Sequence, residues 1–233
     1  MPAFASVVID VDSTLCGVEG IDFLAERRGP EVRDRIVALT DKAMRGEIRL
    51  ESVYEQRLRM IDPTTEDLLA LAEAYRRSVA PGAAEAIETM RCAGARLILV
   101  SGGIREAIAP VARQLGFGDD ELYAVSLVFS SDHEFVGVEE PAPLATQNGK
   151  PEVVSALIES GRLRRPLLAV GDGATDAMLV GTADKFAAYI GFARRESVVA
   201  RADMHIASFA ELATIVVGEA EKQDAPGALG RKK

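Results

Sequence analysis

The chain has 233 residues, 48% hydrophobic, 27% charged and 5% aromatic, which is enough to bury a substantial core and is the makeup of an ordinary soluble protein. Its formal net charge of -9 argues against a general nucleic-acid or anionic-membrane binder, because either partner would be repelled. So few aromatic residues leave no platform for stacked bases.

Cys16 and Cys92 are the only cysteines, too few for a disulfide framework and without metal-ligand spacing, so a reducing compartment is expected. The amino terminus MPAFASVVID has neither a basic stretch nor a long apolar segment, and no later run reaches membrane-spanning length. These features place the protein in the cytoplasm.

In chain order, the first element is the stretch VVIDVDSTL, Val7 to Leu15. Its apolar run Val7-Val8-Ile9 predicts a strand buried on both faces and ending on Asp10 and Asp12, with the hydroxyls of Ser13 and Thr14 following. The carboxyl end of such a strand is where open α/β sheets bind ligands. Two carboxylates this close repel each other unless a cation, a proton or a substrate lies between them. Mg²⁺, which prefers carboxylates, waters and phosphate oxygens, suits the site better than Zn²⁺ in a chain so poor in His and Cys. An EF-hand loop starting at Asp10 is excluded, since its sixth and twelfth positions hold Leu15 and Ile21 rather than Gly and Glu. The bland reading is a surface turn whose acids cap a helix.

From Gly17 to Val79 the pattern is helical: GIDFLAERR, PEVRDRIVALTDKAM, LESVYEQRLRMI and TTEDLLALAEAYRRS repeat apolar residues every three or four positions. Pro30 suits a first helical turn, and Asp62-Pro63-Thr64 marks a break followed by an amino-terminal cap. Such an all-helical insert after the first strand has the look of a lid.

Beyond Pro81 the pattern alternates. Helix GAAEAIETMRCAG leads to strand RLILVS, the turn SGG and helix IREAIAPVARQLG, a strand-turn-helix unit of the parallel kind. YAVSLVF and EFVGV read as a hairpin around Ser131-Asp132-His133, and helix KPEVVSALIES follows a Pro-rich loop. Strand LLAV runs into GDGATD, and then come strands FAAYIGF and MHIA, helix FAELATIVVG and, from about Glu219, a tail expected to be disordered.

Three more signals fall at element ends. In Ser101-Gly102-Gly103 the glycines admit a ligand close to the backbone, and the Ser101 hydroxyl can donate to a phosphate oxygen at the start of the next helix; a plain tight turn is the alternative. No GxSxG accompanies Ser101, so it is a poor nucleophile. In GDGATD, Asp172 suits a metal ligand and Asp176 a supporting carboxylate, against the simpler reading of acids capping a helix. Lys150 opens a helix, where the dipole disfavours a cation; a phosphoryl group and an aspartate would hold it there, and a solvated surface lysine is the alternative.

With these motifs in order, the chain resembles the haloacid dehalogenase superfamily of phosphatases. DVDSTLCGVEGIDFLA, AMRGEIRLESVYEQRLRMIDP, VSGGIREAI and VGDGATDA resemble its phosphoserine phosphatase branch, from about Ala5 to Val217. The resemblance implies a doubly wound parallel sheet, Rossmann-like, with a helical cap after the first strand and a small β-hairpin flap. The core would comprise residues 1–16 and 80–218, the cap 17–79 and the tail 219–233. It implies Asp10 as the nucleophile that forms an aspartyl-phosphate and Asp12 as general acid, then base. Mg²⁺ would be held by the Asp10 carboxylate, the Asp12 backbone carbonyl and Asp172.

By the same resemblance, Ser101, Gly102, Gly103, Lys150 and Thr175 hold the phosphoryl oxygens. Glu19 and Arg57 bind the amino and carboxylate ends of serine, and Met44 touches the substrate from the cap. The expected partner is a small phosphorylated amino acid, with monomer and homodimer both open. Arg45 departs from the small residue common in the family, and Thr175 stands where many relatives have Asn. Because the chain starts at the catalytic strand, feedback by serine through an amino-terminal regulatory domain is not expected. Three functions stay open: phosphoserine hydrolysis (or that of another small phosphometabolite), phosphoryl transfer to a hydroxyl amino acid such as homoserine, and a non-catalytic phospho-acceptor module.

Overall fold

The computed structural model describes residues 1–44 and 53–218, the side chains of 40–44 excepted. Arg45, the Met44 side chain and the tail from Glu219 therefore lie outside the described residues.

The first strand, β1 (Ser6–Ile9), is buried at every position. It pairs in parallel with β2 (Arg96–Ile104) on one side and β6 (Leu167–Gly171) on the other. With β3 (Leu122–Val125), β7 (Lys185–Tyr189) and β8 (Met204–Ile206) these form a six-stranded sheet of order β3-β2-β1-β6-β7-β8, and every pairing in it is parallel. The order turns back between β1 and β6, opening a crevice at their carboxyl ends.

Alternate residues serve opposite faces of the sheet. Val7, Ile9, Leu97, Leu99, Leu168 and Val170 join one apolar cluster, whereas Val8, Ile98, Val100, Leu167 and Ala169 join the other. Burial on both sides is why Val7-Val8-Ile9 shows no polar interruption.

Between β1 and β2 lie α1 (Gly20–Arg27), α2 (Pro30–Met44), α3 (Val53–Ile61), α4 (Thr65–Arg77) and α5 (Ala83–Cys92). Leu24, Leu58, Leu71 and Tyr75 from this insert belong to the same cluster as Val7 and Ile9, so the helices share one core with the sheet. The cap expected near Pro63 is Thr64, whose side chain accepts from the Asp67 backbone N–H while the Asp67 carboxylate accepts from the Thr64 backbone. The Asp67 carboxylate also takes Arg27 at 3.0 Å and Arg28, which ties α4 to the end of α1.

After β2 come α6 (Arg105–Gln114), α7 (Gly149–Glu159), a short α8 (Glu196–Val199) and α9 (Phe209–Val217). The α7 residues Val154 and Leu157 cover one face of the sheet, and α9 packs on α5 over the other.

Two expectations are corrected. Tyr123 to Phe129 is not one hairpin strand: the chain breaks at Ser126, β3 joins the parallel sheet beside β2, and only β4 (Leu127–Phe129) pairs antiparallel with β5 (Phe135–Val138). The Glu106 carboxylate accepts from the Leu127 N–H and the Ser126 carbonyl accepts from the Glu139 N–H, which moves the second half off the sheet. Nor does Ser101-Gly102-Gly103 form a turn at a helix start. It lies within β2, whose pairing with β3 slips between Val100 and Ile104, and α6 begins only at Arg105.

Candidate active site

Asp10 follows the last residue of β1 and is 6% exposed. A tight turn comes next, in which the Cys16 and Thr14 N–H groups donate to the Val11 carbonyl and Ser13 takes a left-handed φ of 52°. That turn does not cap a helix. Helix α1 starts at Gly20 with Glu19 as an N-cap that makes no side-chain cap bond. Instead Thr14 Oγ1 crosses the switch point and donates to Asp172 Oδ1 at 2.9 Å, joining the segments after β1 and β6.

Lys150, in the first turn of α7, is 4% exposed and its Nζ lies 2.7 Å from Asp10 Oδ1 and 2.5 Å from Asp176 Oδ1. The other Asp176 oxygen accepts from the Gly173 N–H at 2.9 Å. A cation thus starts a helix because two buried carboxylates hold it there against the dipole. Burial would lower the Lys150 pKa, but the Asp10 and Asp176 charges outweigh burial and raise it. For Asp10, burial first and Asp176 second push the carboxyl up, against the pull of Lys150.

The carboxylates of Asp10, Asp172 and Asp176 bring one oxygen each within 4.8 Å of one another. Among the described residues, neither Asp10 Oδ1 nor Asp172 Oδ2 has an aligned hydrogen-bond donor, although Lys150 and Arg195 form ion pairs with them. Asp176 is bound by Lys150 and the Gly173 N–H, whereas Asp10 Oδ1 and Asp172 Oδ2 are met by the charges of Lys150 and Arg195. Three buried carboxylates in one cluster, with no His or Cys in it among the described residues, fit a hard divalent cation such as Mg²⁺.

Asp12 is held by two groups of the helical insert. Its Oδ1 accepts from the Tyr75 hydroxyl at 2.6 Å and its Oδ2 from the Gly20 N–H at 3.0 Å. Burial raises its carboxyl to about 6, with those two hydrogen bonds pulling the other way. Ser101 is fully buried, and its Oγ accepts from the Gly103 N–H at 3.0 Å.

A cleft of about 460 Å³ opens over these groups, and every site residue expected from the sequence lines it except Met44, whose side chain is not described. Asp10, Ser101, Gly102, Gly103, Lys150, Asp172, Thr175 and Asp176 line it, and Glu19 and Arg57 enter from the helical insert. Both of these are already paired. Arg57 Nη2 contacts Asp22 Oδ1 at 2.5 Å, and Glu19 Oε1 accepts from Ser13 Oγ at 2.7 Å and Arg195 Nη2 at 2.9 Å.

Sequence reasoning missed Tyr75, Arg195 and Tyr54. Arg195, from the loop before α8, contacts Asp172 as well as Glu19, and Tyr54 lines the cleft, its buried hydroxyl without a hydrogen-bond partner among the described residues. A tyrosine on an apolar helix face and an arginine in a polar loop carry no distinguishing local pattern. Only Thr14 was signalled, by its place in the DxDST motif.

The arrangement provides a carboxylate beside a lysine, an acidic cluster that could hold a metal ion and a second buried carboxyl, all at a switch point. Comparison with known proteins identifies the family. The profile of the haloacid dehalogenase-like hydrolase family matches residues 7–180, and the chain belongs to this family. It is 36% identical to the chloroplastic phosphoserine phosphatase of Arabidopsis thaliana, over 89% of this chain and 70% of that protein. To the phosphoserine phosphatase of Homo sapiens it is 32% identical, over 93% of each chain.

Among solved structures, a phosphoserine phosphohydrolase-like protein from Francisella tularensis superposes with a TM-score of 0.77 at 26% identity, over 90% of this chain and 98% of that one. A phospho-aspartyl intermediate analogue of phosphoserine phosphatase does so with a TM-score of 0.74 at 25% identity, over 91% and 98%. The chain is accordingly an enzyme, a phosphoric monoester hydrolase. Among the described residues, no helix is long and apolar enough to cross a membrane.

Proposed function

We propose that the enzyme hydrolyses O-phospho-L-serine to L-serine and phosphate through an aspartyl-phosphate on Asp10. The observation that carries this reading is one cleft lined by the Asp10–Lys150 pair and by an acid and an arginine, Glu19 and Arg57, entering from the insert. An ammonium and a carboxylate are the groups that such a pair would bind, and Arg57 can grip the latter with two parallel hydrogen bonds. Phosphoserine phosphatases as relatives over most of the chain add support.

In the first half-reaction an Asp10 oxygen attacks phosphorus, the bond to the serine oxygen breaks, and Asp12 gives that oxygen a proton. In the second, Asp12 takes a proton from water, whose oxygen displaces Asp10 and releases phosphate. Lys150 offsets charge beside the nucleophile, while Ser101, the backbone at Gly102 and Gly103, and Thr175 position the phosphoryl oxygens. Mg²⁺ held by the Asp10 carboxylate, the Asp12 backbone carbonyl and Asp172 would neutralise charge on the transferring group.

Residues 17–79 act as the cap over a core of 1–16 and 80–218, and closure excludes water from the acyl phosphate. Glu19 and Arg57 leave Arg195 and Asp22 when substrate enters. Two free thiols, Cys16 and Cys92, fit a reducing compartment, and we assign the cytoplasm.

Product analysis with phosphoserine, with and without homoserine, tests the reading. Equimolar serine and phosphate in both cases are expected. A phosphorylated homoserine product would instead make the enzyme a phosphotransferase, and a long-lived acyl phosphate without turnover would make it a phospho-acceptor module.

A further inference from the structure

We propose that Tyr75 is a positioning residue for proton transfer: its hydroxyl holds the Asp12 carboxyl in the orientation that delivers a proton to the departing alcohol oxygen. This rests on Asp12 being the acid and base of the reading above.

Tyr75 lies on α4 among apolar side chains and is fully buried. A phenylalanine would fill the same volume without burying a hydroxyl, which is unfavourable unless that hydroxyl is hydrogen-bonded. Asp12 is its partner. At 2.6 Å the contact is a short charge-assisted bond, and with the Gly20 N–H on the other oxygen it pins the carboxyl plane from two sides.

The neighbouring glycines are cut to fit the same pair. A Cβ at Gly20 would stand 2.4 Å from the Tyr75 hydroxyl, and one at Gly103 would stand 3.0 Å from Asp12 Oδ1 and 3.2 Å from that hydroxyl. Three distant segments, the start of α1, the Ser-Gly-Gly run of β2 and the face of α4, therefore converge on one carboxyl group. Tyr75 does not line the cleft, so it acts through Asp12 rather than on substrate.

The step it serves forms a bond from Asp10 oxygen to phosphorus and breaks the bond from phosphorus to the ester oxygen, which takes the Asp12 proton. An alkoxide such as serine's needs that proton to leave, whereas 4-nitrophenolate departs without it. Comparing phosphoserine with 4-nitrophenyl phosphate isolates the role, because kcat/KM reports only the step up to transfer onto Asp10.

Tyr75→Phe is expected to lower kcat/KM for phosphoserine at least about tenfold while changing that for 4-nitrophenyl phosphate less than about twofold. Gly20→Ala, whose methyl would displace the Tyr75 hydroxyl, should give the same selective loss, and Asp12→Asn/Tyr75→Phe should be no slower on phosphoserine than Asp12→Asn. Equal losses on both esters, or no loss on either, in whichever variant folds, would overturn the proposal. Wild-type enzyme inactive on both esters would instead overturn the underlying reading.

Discussion

Lys150 Nζ and Asp10 Oδ1 lie 2.7 Å apart in a site where their side chains are 5% and 8% exposed, so the expected nucleophile already has a buried cation against it. With Asp176 on the same ammonium, Lys150 holds two buried carboxylates together. Lys150→Met leaves two buried carboxylates facing each other. It should abolish turnover and lower stability by roughly 3–5 kcal/mol, measured by denaturant unfolding. A variant with unchanged stability would show that the three groups do not share one buried contact.

The Asp12 carboxyl, raised by burial to about 6, is protonated below that pH and ionised above it. In the proposed mechanism, transfer to Asp10 uses the protonated form and hydrolysis of the acyl phosphate uses the ionised form. As the pH falls below about 6, steady-state kcat should fall and the acid-quenched level of phosphoenzyme should rise. A phosphoenzyme level unchanged between about pH 5 and 8 would contradict these roles.

These pieces were legible to different degrees. The three-residue run before Asp10, the glycine-flanked motifs and the misplaced cation at Lys150 are local anomalies, each visible against ordinary propensity. The four helices of the insert and the Thr64 cap followed from periodicity and cap chemistry for the same reason. Tyr75 and Arg195 matter only because helix α4 and the loop before α8 fold back onto Asp12 and Asp172, a consequence of tertiary packing that leaves no trace in their neighbours. The break at Ser126 was hidden likewise, since both halves of YAVSLVF favour a strand and only Glu106 and Glu139 separate them.

Arg195 bears on metal affinity. Its guanidinium contacts Asp172 Oδ2 and would compete there with the proposed divalent ion. Arg195→Gln should reduce the Mg²⁺ concentration needed for half-maximal thermal stabilisation several-fold. An increased requirement would place Arg195 among the groups that help to hold the ion.

Asp67 supplies a separate test of the insert. Burial alone would raise its carboxyl, but hydrogen bonds from Arg28, Thr64 and Arg27 outweigh it and hold the group well below its ordinary value of 3.8. A depressed folded-state pKa contributes stability that is fully present above the unfolded value and is lost as pH falls toward the folded one. With its arginines 38% and 28% exposed, Asp67→Asn should cost roughly 2 kcal/mol at neutral pH and much less in strong acid, by urea unfolding. A cost that did not shrink on acidification would assign the loss to packing.

The most direct measurement of the central claim is phosphate release from a panel of phosphorylated metabolites, with and without Mg²⁺, by wild type and Asp10→Asn. Phosphoserine should be hydrolysed fastest, only with Mg²⁺, and the substitution should lower the rate by a factor on the order of 10⁶. Equal rates on aromatic, sugar and amino-acid phosphates would contradict the serine assignment, and turnover surviving in Asp10→Asn would contradict the aspartyl-phosphate route.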